Sequence, residues 1–196
     1  MATDLATRFM TADEFLELAD EEGVTRELID GVLEERPMTT RSPRHCTVMT
    51  RISMALANWL DRQTDRVGAV GCGEVRCRLA TDPDLIVGID IVYYEGPEAV
   101  RQSEEEPFFN GPPVVAVEVL SPSDTHEDVV ERIHRCLSNG TKQVWIADPD
   151  LKTITIYRPN ADADLFNAGQ ELQAEPELPG FRVRVITLFS STAPKS

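Results

Sequence analysis

Two stretches of this chain, residues 85–94 and 114–120, are almost continuously apolar, and each carries a single carboxylate, Asp90 and Glu118. Unbroken apolar runs of this length mark strands covered on both faces, as in the middle of a sheet. Residues 73–79 behave differently: Val75, Cys77 and Leu79 alternate with Glu74, Arg76 and Arg78, the pattern of a half-exposed strand. From residue 44 to about 66 the period changes to three and four. Val48, Ile52, Ala55, Leu56, Trp59 and Leu60 then form one stripe of a long helix facing the core, with His45 and Met49 beside it.

The remaining elements follow from caps and turns. Thr11 precedes an acidic first turn, Asp13 and Glu14, and apolar Phe15, Leu16 and Leu18, which predicts a short capped helix ending by Gly23. Asp30-Gly31 supplies the positive φ angles of a tight hairpin between two short strands over residues 27–34. After Ser121-Pro122-Ser123-Asp124 a helix runs to about residue 138, stopped by Asn139-Gly140. On it Val130, Ile133 and Leu137 are expected to face inward, with Asp128 and Arg132 one turn apart on another face. Residues 143–147 and 153–157 read as two strands joined by a turn, and residues 181–189 as the last ordered element. The runs Glu104-Glu105-Glu106 and the acidic 160s read as solvated loops. The expectation is one domain over residues 1–189 with a mobile tail at 190–196. Its class is α/β (α+β): a mixed sheet flanked by helices, with an N-terminal helix and hairpin.

Charge complicates the functional picture. The formal net charge is −15, which repels duplex DNA at long range. A nucleic-acid partner would need a local basic surface, for which Arg36, Arg41, Arg44 and Arg51 are the candidates, or bound cations. No apolar run approaches the roughly 20 residues that cross a bilayer, so no membrane partner is expected. The start Met1-Ala2-Thr3-Asp4-Leu5 has no secretory character, which makes the cytoplasm the expected location. Cys46, Cys72, Cys77 and Cys136 lack zinc-site spacing and read as reduced thiols. Glycine-rich phosphate loops, nucleophile elbows and dinucleotide fingerprints are missing from the sequence.

The chemistry therefore rests on the two buried acids. An ionised carboxylate inside an apolar strand must be paired, protonated or bound to a cation. Adjacent strands could bring Asp90 and Glu118 to one end of the sheet, where hard oxygen ligands suit Mg2+, with Mn2+ as the other candidate. The structural alternative is an ion pair of Asp90 with Arg76 or Arg78 and a capping role for Glu118. His45, at the start of the long helix, reads either as a substrate contact or as a structural hydrogen-bonding group. His126 and His134 fall on the solvent side of the second helix, and Trp59 and Trp145 in the core.

Five segments occur in order along the chain: Glu27-Leu28-Ile29-Asp30-Gly31, Ser42-Pro43-Arg44-His45, Glu118-Val119-Leu120-Ser121-Pro122-Ser123, Val144-Trp145-Ile146-Ala147-Asp148-Pro149 and Leu178-Pro179-Gly180-Phe181. Together they resemble the Uma-two family of restriction endonucleases, over nearly the whole chain. The resemblance implies the PD-(D/E)xK nuclease fold and metal-dependent hydrolysis of DNA phosphodiester bonds. It implies Asp90 and Glu118 as metal ligands, the Val119 carbonyl as a further oxygen donor, Glu27 as an additional acid, and a homodimer by family analogy. Leu120 stands where the superfamily places lysine, and the lysine this family supplies from the following helix corresponds to Arg132. Gly88-Ile89 replaces the arginine and proline that usually precede Asp90. Arginine keeps its charge, so Arg132 can hold a phosphate but cannot take a proton from water. Three functions stay open: an active DNA endonuclease, a catalytically degenerate nuclease scaffold used for binding or regulation, or an RNA or nucleotide hydrolase using the same metal pair.

Overall fold

The computed structural model describes residues 9–19, 21–38 and 41–190. Thr11 caps α1 (Ala12–Leu16) in a reciprocal box with Glu14. β1 (Val24–Ile29) and β2 (Val32–Pro37) form the predicted hairpin, with Asp30 and Gly31 both at positive φ. α2 (Pro43–Leu60) starts with the Ser42 side chain accepting the His45 N–H, and its core stripe holds His45, Val48, Met49, Ile52, Leu56 and Trp59. It ends earlier than its apolar spacing suggested, which lets β3 (Gly68–Ala80) begin five residues before residue 73.

β3 and β4 (Leu85–Glu95) are paired antiparallel along their length, except for a bulge at Gly73 and Glu74, both at positive φ. The connection expected as an acidic loop instead contains α3 (Pro97–Glu105). Pro97 opens this helix, and Arg101 holds Glu98 and Glu105 one turn away on either side, so the acidic run is a solvated helical face. β5 (Phe109–Asn110) and β6 (Val115–Val119) follow, then α4 (His126–Ser138), β7 (Gln143–Asp148), β8 (Thr153–Tyr157) and β9 (Asp164–Phe166). β10 (Glu171–Gln173) and β11 (Arg182–Arg184) make a separate hairpin. The expected last element divides into β11 and a helical turn, α5 (Val185–Leu188). Residues 191–196, most of the expected tail, lie outside the described residues.

The main sheet runs β2-β1-β4-β6-β7-β8-β9, with β3 and β5 joined to β4, and it is mixed: β6 and β7 are parallel, most other pairs antiparallel. Two cores cover it. α2, α5 and the small hairpin pack on one face over Ile91, Tyr93, Val117, Trp145, Ile154 and Ile156. α4 and α3 cover the other, over Val87, Ile89, Val92, Ala116, Val144 and Ile146. On α4 the buried stripe is Val129, Ile133, Cys136 and Leu137; Val130 is 48% exposed, contrary to the expectation that it faces inward. Trp59 and Trp145 are buried, His126 and His134 exposed, and the four cysteines unpaired. Among the described residues no helix is long and apolar enough to cross a membrane.

One feature of the topology creates the site. β3 occupies one edge of β4 throughout. The opposite edge is shared: β1 meets it at Ile86 and β6 at residues 91–93. Between those contacts β1 and β6 diverge, and Asp90 sits in the split.

Candidate active site

At the split, side chains take over the hydrogen bonds that a strand would make. Glu27 on β1 accepts the Gly88 N–H through Oε1 at 3.1 Å, and Asp90 accepts the Val119 N–H through Oδ2 at 2.9 Å. Ile91 pairs with Val117, so the next position toward the split sets Asp90 beside Glu118. The two acids nevertheless meet different neighbours. Val117 and Val119 face α2, while Ala116 and Glu118 face α4, where the Arg132 guanidinium donates to Glu118 Oε2 at 3.1 Å. Asp90 is approached from the α2 side: His45 Nε2 lies 3.3 Å from its Oδ2, and Arg41 Nη2 3.7 Å from its Oδ1.

Both acids are buried, Asp90 at 2% exposure and Glu118 at 5%. Burial pushes the Glu118 carboxyl well above the usual carboxylate range, and the negative charge of Asp90 pushes it further, with Arg132 pulling the other way. At Asp124 the balance reverses. Burial would raise it, but the Ser121 N–H and the Arg132 guanidinium outweigh that and hold the carboxyl below its ordinary value. Arg132 itself is raised: its burial opposes the charge, and Glu118 and Asp124 more than compensate.

These contacts show which partners the charged side chains take. Neither arginine of β3 neutralises Asp90, because Arg78 pairs with Asp84 and Arg76 lies over the Phe15 ring at 5.6 Å. Arg132 does not form the helical pair with the Asp128 carboxylate. That carboxylate caps the helix at Thr125, and Arg132 reaches only the Asp128 carbonyl, at 3.4 Å. Arg132 instead joins Glu118 to Asp124, which the sequence marks only as a helix-start residue. The proposed basic surface is also largely neutralised: Arg36 pairs with Glu34, Arg41 with Glu74, and Arg44 with Asp150. Glu27 keeps its other oxygen 3.8 Å from Arg135. Leu120 packs against the α4-side core and can make no polar contact through its side chain.

A family profile described as "Putative restriction endonuclease", that of Uma2, matches residues 12–188. The chain belongs to the Uma2 family. Its fold is shared by a crystal structure of "a putative nuclease belonging to DUF820" from Anabaena variabilis, which is 25% identical, covers 92% of this chain and 97% of its own, and superposes with a TM-score of 0.70. None of the curated proteins matches the chain significantly.

A hard divalent cation fits the donors that this Uma2 member presents. Asp90 Oδ1 is buried without a hydrogen-bond partner, as are both ring nitrogens of His45, whose 3.3 Å contact with Asp90 is not aligned as a hydrogen bond. A buried, orphaned carboxylate oxygen is costly unless something cationic completes it. Among the described residues no three His, Cys, Asp and Glu side chains converge as a ready-made cluster. A cation here therefore draws its remaining ligands from main-chain oxygen, water or substrate.

Proposed function

We propose that this chain is a Mg2+- or Mn2+-dependent endonuclease that hydrolyses DNA phosphodiester bonds. The observation that carries the reading is the pair of buried acids on adjacent strands at the split, one of them with an oxygen to which no protein group donates a hydrogen bond. Family membership and the nuclease neighbour support the reaction class. Asp90 and Glu118 are the side chains that would hold the metal, with the Val119 carbonyl as a further donor. When bound, the cation would polarise the scissile phosphate and lower the pKa of a water.

The chain's own residues do the rest. Hydrolysis forms a bond from water oxygen to phosphorus and breaks the bond from phosphorus to the leaving oxygen, which takes up a proton. Arg132, held protonated by Glu118 and Asp124, serves as a fixed positive charge near the developing negative charge and does not move a proton. Glu27 is a positioning residue: by accepting the Gly88 N–H it fixes the backbone two residues before Asp90. With −15 overall, metal loading is also what makes the site hospitable to a polyanion. Cutting both strands is simplest with two copies related by a dyad.

The test is cleavage of supercoiled plasmid DNA with Mg2+ or Mn2+. Asp90→Asn should abolish cleavage while leaving the thermal melt intact; equal cleavage by both proteins removes Asp90 from the mechanism. The closure of Arg132 on both Glu118 and Asp124 favours a second reading, a degenerate nuclease scaffold. That protein would bind DNA with no metal-stimulated cleavage.

A further inference from the structure

Among the described residues, His45 is the one side chain with two buried polar atoms that no group hydrogen-bonds. It is 2% exposed, both ring nitrogens are without a hydrogen-bond partner, and Nε2 faces Asp90, whose own Oδ1 is equally orphaned. Burying two ring nitrogens and a carboxylate oxygen without hydrogen bonds is costly, which favours a group that joins them. No protein group hydrogen-bonds them, and the nearest cation to Oδ1, the Arg41 guanidinium, stands 3.7 Å away. Ser42 spends its hydroxyl on the His45 main-chain N–H, and Arg41 has Glu74 as its nearer partner.

Space and access are present. Ser42, His45, Leu120 and Ser121 line a cleft of about 160 Å3 that also touches Asp148 and Pro149. This is room for several waters, and a water could take the remaining His45 nitrogen. Arg44 and Asp150 also line the cleft and are paired with each other.

The geometry points to His45 as a metal ligand through Nε2, acting with Asp90, so that the centre takes a first-row transition ion in preference to Mg2+. This rests on the metal-dependent reading above and deepens it by naming the cation class. Mg2+ is bound almost wholly through oxygen and gains little from an imidazole, whereas affinity for nitrogen rises along the transition series. Glu118 faces the other helix and is drawn toward Arg132, which makes each additional donor beside Asp90 count for more.

Mn2+ is the probe. Untagged full-length protein is titrated with Mn2+ and the free ion followed by electron paramagnetic resonance, with Mg2+ titrated by calorimetry; electron spin echo modulation then detects 14N coupled to bound Mn2+. His45→Gln should weaken Mn2+ binding about tenfold or more and Mg2+ binding by no more than about threefold, and should lose the nitrogen modulation. Asp90→Asn should lose binding altogether, which separates this centre from the exposed His126 and His134. If His45→Gln misfolds by its thermal melt, the wild-type spectrum decides alone: 14N modulation that Asp90→Asn removes supports the ligand, and its absence overturns it. Wild type that binds Mn2+ with no change in His45→Gln overturns the role of His45 and leaves the metal centre standing. Wild type that binds neither ion overturns both.

Discussion

Glu118→Gln isolates the cost of a carboxylate in the sheet. The folded-state pKa of Glu118 is raised above the ordinary value of about 4.3, by burial first and by Asp90 second. Between the ordinary value and the raised one, the unfolded chain has lost this proton while the folded chain keeps it. The unfolded state then binds fewer protons, so stability falls as pH rises, by at most about 1.4 kcal/mol per pH unit. The stability is fully present below about pH 4 and is lost as pH climbs toward the folded-state pKa. Glutamine has no such titration. From pH 5 to pH 7 the variant should gain on the wild type by up to about 2.7 kcal/mol. Guanidinium denaturation of both proteins at pH 5, 6 and 7, without divalent metal, reads this as a relative midpoint shift of roughly half a molar. Parallel profiles across the three pH values would show that Arg132 keeps Glu118 ionised throughout and would refute the reasoning. Arg132 keeps its contact with Asp124 in both proteins and the glutamine facing it does not titrate, so the substitution adds no slope of its own.

Two further substitutions test the neighbours. Arg132→Lys cannot span Glu118 and Asp124 at once and should cost about 1–2 kcal/mol in urea denaturation, while metal-stimulated plasmid cleavage is kept or raised; complete loss of cleavage would show that the bidentate link is required. Glu27→Gln retains an acceptor for the Gly88 N–H, so stability and cleavage should stay within about twofold of wild type in equilibrium. Glu27→Ala should lose about 1–2 kcal/mol and most of the cleavage, and a reversed order would make the Glu27 charge, rather than its hydrogen bond, the functional feature.

Much of this architecture was legible along the chain. Thr11 with Glu14, and Asp30 with Gly31, act within a few residues of one another, so their caps and turns are local events that sequence spacing describes directly. The doubly covered strands around Asp90 and Glu118 were legible for the same kind of reason, since an apolar run reports burial whatever covers it. The helix at residues 97–105 was less so: its polar face dominates and only Ala99 and Gln102 are buried, leaving little apolar period to detect. β9, β10 and β11, at three residues each, are too short to show an alternation.

What the tertiary structure alone decided is the partnership of each charge. Asp90 and Glu118 could be recognised as needing counter-charges, but candidates stood at residues 36, 41, 44, 51, 76, 78 and 132. Which of them reaches which acid depends on the helix that covers each sheet face and on where β1 and β6 part along β4. Those are consequences of contacts between segments tens of residues apart, at distances where a shift of a few ångströms exchanges one ion pair for another. Arg132 reaches Glu118 because α4 lies over that face, and His45 meets Asp90 because α2 begins on the other.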